Sequence, residues 1–325
     1  MTAEARPVPR VSVVMPSFNT EAYIAAAVRS ALDAGVADVE VLVIDDGSTD
    51  GTVATVRAMG DPRVTVIEIP ATGGPSKPRN IGLAQARAPY VSLLDSDDLL
   101  KPGKLAASIA ALDACPSAGF AFGDYEKMDV DGHVFETSFV YAYPVFRGLA
   151  RQPVGEGWWL IPQQELARGL LYENFIGTSG VVLRTALARR LGGFLEEVPN
   201  GDDLDMWLRL AHSGDALYCT QVGHSYRSRS GSVVRGPRIR NARSAIKVMQ
   251  REKARWRERA PRRQIDRRIA EYLGVIGFQH RQQRQRWSAV RSFLQAYATS
   301  PEMRWLTSLM AAALLEAEPV GPPRE

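Results

Sequence analysis

Cysteine is nearly absent. Cys115 and Cys219 are the only two in 325 residues, too few for a disulfide framework or a cysteine zinc site, and they suit a reducing cytoplasm. Histidine is almost as scarce: His133, His212, His224 and His280 lack H-E-x-x-H spacing, and no G-x-S-x-G elbow supports serine–histidine hydrolysis. No G-x-G-x-x-G follows a strand-like run and no G-x-x-x-x-G-K-[ST] occurs, which removes the dinucleotide fingerprint and the Walker loop. Long hydrophobic runs are missing as well. The best candidate, 306–315, is interrupted by Thr307 and Ser308 and falls far short of the ~20 residues of a spanning helix. The first ten residues hold Glu4 and prolines without an apolar stretch, which reads against a secretory leader.

What is present is an ordinary globular composition, 45% hydrophobic and 23% charged, which excludes disordered and collagen-like chains. The net charge of +4 hides an asymmetry: residues 1–234 carry 20 Lys and Arg against 28 acids, whereas 235–291 carry 18 against 4. An acidic body is followed by a basic tail. Such a tail suits an anionic surface, although a solvated helix face is the bland alternative.

The first hundred residues alternate short apolar runs with helical periodicity. Strands are expected at Val11–Met15 (ended by Pro16), Val39–Ile44, Val64–Ile69 and Tyr90–Leu94. Helices are expected at Glu21–Ala34, from an Asp50 or Ser48 cap to Met59, and from a Ser76 cap to about Ala86. Three β-α-β units imply a parallel sheet covered by helices on both faces. Further on, a helix (Pro102–Leu112), a strand (Gly119–Phe122), a loop-rich stretch from Asp129 to Pro162 with Trp158 and Trp159, a buried strand ending at Arg184 and a helix over Leu204–Ala211 are expected. Beyond Pro237 the pattern is all-helical: a segment to Arg259, a break at Pro261, a second to about Gln283, then Trp287–Tyr297 and Met303–Leu315.

In such sheets ligands bind outside the carboxyl ends of the strands. The segments leaving those ends are Pro16-Ser17-Phe18-Asn19, Asp45-Asp46-Gly47-Ser48 and Asp95-Ser96-Asp97-Asp98. Three carboxylates within four residues repel one another unless a cation compensates, so the last points to Mg²⁺ or Mn²⁺ completed by phosphate and water; capping of the next helix is the structural alternative. Asp45 and Asp46 can accept hydrogen bonds from a base or ribose, or simply make a turn. Ser76-Lys77-Pro78-Arg79-Asn80 opens a helix, where a cation and free N–H groups favour phosphate. Asp202 and Asp203 stand at the start of a helix, a place that suits either a helix-dipole carboxylate, the reading favoured for Asp202, or a proton acceptor.

The runs Val11–Asn19 and Val43–Gly51, Arg79-Asn80, Leu94–Asp98, Gly192-Gly193-Phe194, Asp202–Arg209 and Tyr226-Arg227 together resemble family 2 glycosyltransferases. The resemblance implies the GT-A fold, a Rossmann-like and mostly parallel sheet, over residues 1–235, with a helical appendage over 236–325. It implies inverting transfer from a nucleotide-diphosphate sugar, often a uridine one. By position, Pro16, Phe18, Asn19, Asp46, Arg79 and Asp95 would hold the nucleotide, Asp97 pairs with Asp95 around the metal, and Asp98 is the alternative ligand. Asp203 matches the catalytic base, while Asp202, Trp207 and Thr178 are candidates for sugar or acceptor contact. Where the family often has Tyr-Arg-x-His with a metal-binding His, this chain reads Tyr226-Arg227-Ser228-Arg229. Arg229 cannot ligate a cation, so either the metal has fewer protein ligands or the guanidinium itself neutralises pyrophosphate.

The rival enzyme, a sugar-phosphate nucleotidyltransferase, would open on a G-G-x-G-T loop where Pro16–Asn19 stands; a non-catalytic nucleotide-sugar binder is the other alternative. Residues 129–170 are expected to shape the pocket for an acceptor that is a glycan, a lipid-linked glycan or a small molecule. For the tail the expectation is peripheral contact with the inner face of a membrane and no nucleic-acid partner; Trp256, Phe278 and Trp287 are interfacial candidates, with core packing among the helices as the favoured alternative for all three.

Overall fold

The computed structural model describes residues 7–198, 200–229 and 238–314. The chain divides into two compact units, 1–230 and 231–325. The boundary expected at 235/236 lies outside the described residues, as does Leu315.

In the first unit, β1 (Val11–Ser17), β2 (Val39–Asp45), β3 (Val64–Glu68) and β4 (Tyr90–Leu93) form a parallel block in the order β3-β2-β1-β4. Helices α1 (Glu21–Leu32), α2 (Thr52–Ala58) and α3 (Ser76–Gln85) are the crossovers. Val11, Val13 and Met15 on β1 and Val39, Val41 and Val43 on β2 pack with Ile24, Ala27 and Val28 of α1 in the main core. β1 runs two residues past the expected stop, with Pro16 opposite Ile44. The Val14 carbonyl bonds the Leu94 N–H, so the Pro16 nitrogen, two residues on, faces the same side just beyond the last β1–β4 pair, Val14 with Leu93. No ladder bond is required of it there.

The sheet continues through antiparallel β10 (Val182–Arg184), then β6 (Ala118–Met128) and β11 (Asp215–Arg227), which are parallel to each other. Three expectations change here. β6 is eleven residues long. Trp158 and Trp159 lie not in a loop but in β9 (Trp158–Ile161), which with β8 (Gln152–Gly155) forms a hairpin on the edge of β11. Trp158, half-buried, packs against the main core. Third, α3 starts at Ser76 itself, and no side chain caps it; the buried Ser76 hydroxyl has no hydrogen-bond partner among the described residues.

β5 (Leu99–Leu100) pairs antiparallel with β11 at Ser225 and His224. This pairing folds the Asp95–Asp98 turn onto the end of β11. α4 (Lys104–Ala114), α6 (Gln163–Leu170), α7 (Thr185–Arg190) and α8 (Asp202–Ala211) complete this unit, with β7 (Val134–Glu136), a 3₁₀ turn at Val140–Ala142 and α5 (Pro144–Arg147) between β6 and β8.

The second unit is helical: α9 (Arg238–Lys253), α10 (Arg259–Gln282), α11 (Arg286–Thr299) and α12 (Met303–Ala313). Pro261 does not break a helix. It occupies the third position of α10, where no N–H is needed for an intrahelical bond. Phe293, Ala289, Ala296, Ala270, Trp305 and Ala312 make a separate core. Gly274 and Gly277 let Trp305 and Phe293 approach α10, for an added Cβ would stand 2.3 Å from the Trp305 ring and 2.8 Å from that of Phe293. No helix among the described residues is long and apolar enough to cross a membrane.

Candidate active site

The ends of β1, β2 and β4 and the start of α8 bring the expected residues to one rim. At the β1–β2 end, Asp45 is buried and accepts bonds from Ser17 Oγ (3.0 Å), Ser48 N (2.9 Å) and Ser48 Oγ (2.6 Å). Asp46 accepts from Thr72 N and Thr72 Oγ1, both at 2.8 Å, and from Gly73 N at 3.3 Å. Both Asp46 oxygens thus hold the loop after β3. Asn19 takes a positive φ of 50°, a conformation its side chain tolerates, and its Oδ1 accepts from Thr49 N at 2.8 Å. Phe18 projects beside it, about half exposed, and Pro16 is half-buried.

Arg79 is the centre of the second cluster. It is 4% exposed, donates to Asp95 and Asp202 at 2.8 Å each, and lies 5.5 Å from the Phe194 ring centre. Burial opposes its charge, but Asp95, Asp202 and Asp203 outweigh that cost and raise its pKa. Its two terminal nitrogens are therefore committed to carboxylates. Asp202 lies in the first turn of α8, as a helix-dipole carboxylate would, and is also an ion-pair partner of Arg79; Gly201 occupies the cap position, at φ 84°. The neighbouring Asn80 grips the Phe194 backbone at both N–H (2.6 Å) and carbonyl (2.9 Å), locking the loop against which Arg79 rests.

Asp98 is 1% exposed; its oxygens accept from Ser179 Oγ (2.6 Å) and Arg227 N (2.8 Å). Burial, then Asp97 and Asp95, push its pKa well up. Asp97 is less enclosed and pairs with Arg229. Burial and Asp95 raise its pKa, against the pull of Arg229. Asp95 remains a third exposed and gives one oxygen to Arg79. The oxygen donors of Asp95 and Asp97 fit a hard divalent ion sharing substrate oxygens and water. A metal-compatible trio among the described residues lies elsewhere, at the exposed turn Asp129, Asp131 and His133, where Asp129 Oδ1 caps the Asp131 and His133 N–H groups.

Asp203, on the first turn of α8, accepts from Asn174 Nδ2 at 3.0 Å and from Leu204 N at 2.7 Å. Burial and then Asp202 raise its pKa to about 6, while Arg79 and these two hydrogen bonds resist. A carboxylate poised there is ionised at neutral pH and basic enough to take a proton. Thr178 is half-buried in the loop that carries Ser179. Trp207 is not available for sugar or acceptor contact: it is wholly buried and stacks on Phe120 at 6.0 Å, because the apolar face of α8 that predicted the helix is the face turned into the core. His224 is likewise internal, stacked on Tyr125 at 5.0 Å and held neutral by burial, with a pKa lowered to about 3.

Three contributors were given no role by the sequence. Asn174 sits in an irregular loop without a motif. Ser179 Oγ accepts the Asp95 N–H at 3.1 Å while donating to Asp98. Arg227 donates to the carbonyls of Asp97 (2.8 Å), Asp129 (3.0 Å) and Val130 (2.9 Å) and stacks over Tyr23 at 4.8 Å. The Tyr-Arg pair at the end of β11 was the signal available for Arg227.

The sequence model described as Glycosyl transferase family 2 matches residues 12–182. The chain belongs to this family. Among the curated relatives of this family 2 member, the succinoglycan biosynthesis protein ExoO of Rhizobium meliloti is 38% identical over 125 residues, 38% of this chain and 36% of that protein. The chain thus matches about a third of that relative's length. Among solved structures, S. aureus TarS 1-349 in complex with UDP-GlcNAc superposes with a TM-score of 0.68 at 17% identity, covering 94% of this chain and 89% of that one. The mannosyltransferase PcManGT from Pyrobaculum calidifontis, in complex with GDP-Man and Mn2+, gives 0.54 at 20% identity, covering 95% and 81%. At these identities the likeness establishes the shared fold, that of GT-A enzymes.

Proposed function

We propose that this chain is an inverting glycosyltransferase that moves a sugar from a nucleoside-diphosphate donor, a uridine one in the first instance, to an acceptor hydroxyl. The observation that carries the reading is the placement of Asp203, held by Asn174 with its pKa near neutrality, beside the Asp95–Arg79–Asp202 ion-pair chain. Asp203 accepts the proton of the acceptor hydroxyl as that oxygen attacks the anomeric carbon, and a single displacement inverts its configuration. Pro16, Phe18, Asn19 and Asp46 line the end of the sheet that receives the nucleotide.

Asp95 and Asp97 would hold Mn²⁺ or Mg²⁺, which when bound supplies positive charge for the departing diphosphate. Arg229, paired with Asp97 at the same place, lends a second positive charge there. Arg79 supports Asp95 and Asp202 from behind, which replaces the direct phosphate contact expected of it. The UDP-GlcNAc and GDP-Man complexes of the two structural neighbours support a nucleotide-sugar donor. The relative named for succinoglycan biosynthesis supports a glycan acceptor. In the same reading the enzyme works on the cytoplasmic side, its basic helices resting on the inner membrane face.

The test is nucleoside-diphosphate release from a panel of UDP- and GDP-sugars with wild-type and Asp203→Asn protein, with and without chelator. Release by wild type alone supports the assignment. Donor binding without release by either protein would reduce the chain to a nucleotide-sugar binder, and full activity in excess chelator would remove the metal.

A further inference from the structure

The hairpin joining α10 to α11 reads Arg281-Gln-Gln-Arg284-Gln-Arg286-Trp287, and no Asp or Glu occurs from Tyr272 to Pro301. Several basic side chains elsewhere in this unit are paired with acids: Arg255 with Glu252, Arg268 with Glu271, Lys253 with Asp266 and Arg304 with Glu302. Arg281, Arg284, Arg286 and Arg291 have no ion-pair partner among the described residues. Two of these guanidiniums instead lie over aromatic rings, Arg281 at 5.0 Å from the Phe278 centre and Arg286 at 5.1 Å from that of Trp287.

The same end of the unit is apolar as well as basic. α11 runs back along α10, with Phe293 against Phe278 at 5.2 Å and Glu302 against Arg267 at 3.5 Å. α12 follows after a three-residue connector and packs with α11 in the shared core, which returns its C-terminal turn towards the hairpin. Trp287 is 75% exposed, and Met310 and Leu314 on that last turn are 65% and 82% exposed.

We infer that this hairpin, with Arg281, Arg284, Arg286 and Trp287 at its tip, is a docking surface for an anionic lipid bilayer. The inference deepens the proposed placement on the membrane by naming the surface. Unpaired arginines attract lipid phosphates, each adding up to ~1 kcal/mol near an anionic leaflet. Exposed tryptophan and long apolar side chains take the position that amphipathic rings occupy at the headgroup level. A nucleic acid would use the arginines but give no reason for the apolar ones, so charge and hydrophobicity together favour the bilayer.

The experiment is flotation of the full chain, without nucleotide sugar, on phosphatidylglycerol–phosphatidylcholine vesicles and on pure phosphatidylcholine vesicles, at low and high salt. Binding is expected on the anionic vesicles only, released by salt. Combined Arg281→Gln, Arg284→Gln and Arg286→Gln substitution should lower partitioning about a hundredfold. Trp287→Ala should weaken binding while preserving its salt dependence. Unchanged circular dichroism and melting temperature establish that the variants are folded. The inference fails if wild type ignores anionic vesicles at low salt, or if the triple variant floats as wild type does. Capture of a single-stranded oligonucleotide, lost in the triple variant, with no vesicle binding, transfers the surface to nucleic acid. Sugar-nucleotide turnover in solution is measured apart from flotation, so failure of either reading leaves the other standing.

Discussion

Arginines in the two units live under opposite conditions. Arg79, at the strand-end rim, is enclosed and clamped between Asp95 and Asp202. Arg281 and Arg284, on the helical hairpin, face solvent or a ring without a carboxylate. A guanidinium taken out of water must be matched by fixed acids, so its position is determined by the rest of the fold. One left in water is free to find its partner elsewhere. The rim arginine is fixed by acids of its own unit, whereas the hairpin arginines, in the proposed docking surface, would be matched from outside the chain.

Several experiments sharpen or break that contrast. The largest effect belongs to Asp203→Asn, which should cut turnover by about 10²–10⁴-fold while nucleotide binding, measured by calorimetry, stays near wild type; an equal loss of binding would make Asp203 part of the scaffold. Next is Arg79→Met. It strands two carboxylates, of which Asp202 is buried, and should cost about 3–5 kcal/mol in chemical denaturation. A smaller loss would mean that the rim is less enclosed than its packing indicates.

The third prediction concerns pH. In the proposed mechanism Asp203 must be ionised to act, and its pKa is raised to about 6, so turnover should be level above that value and fall ~10-fold per unit below it. The Asn174 hydrogen bond favours the charged form. Asn174→Ala should therefore move the acid limb to higher pH, which a pH–rate profile reads directly. The smallest effect is expected at Arg267, mostly exposed and 3.5 Å from Glu302. Arg267→Gln should change stability by less than about 1 kcal/mol. An effect comparable to that of Arg79 would erase the distinction between the two regions.

Legibility followed the range of the interactions. The strand-end acids Asp45-Asp46 and Asp95–Asp98 could be placed at one rim because short, nearly continuous apolar runs with helical segments between them imply parallel strands, and parallel strands share one carboxyl end. The helix at Asp202–Ala211 was also legible, yet its most conspicuous residue was misplaced. Periodicity says that Trp207 lies on an apolar face; it cannot say that Phe120 of another strand covers that face. The β8–β9 hairpin was read as loop because Gly155, Gly157 and Pro153 carry turn signals, whereas its pairing to β11 is a decision of the sheet edge.

By itself the sequence determined the alternation of elements, the acidic body and basic tail of the chain and the family motifs, all readable along the chain without knowing which distant residues meet. Only the tertiary structure decided that Arg79 meets Asp202 across 123 positions, that Asn174 holds Asp203 and that Arg227 ties the end of β11 to the turn after β4. Burial explains the division. A charge or polar group in a low-dielectric interior must be matched by whichever groups the packed fold brings near it, and no local pattern records which those will be.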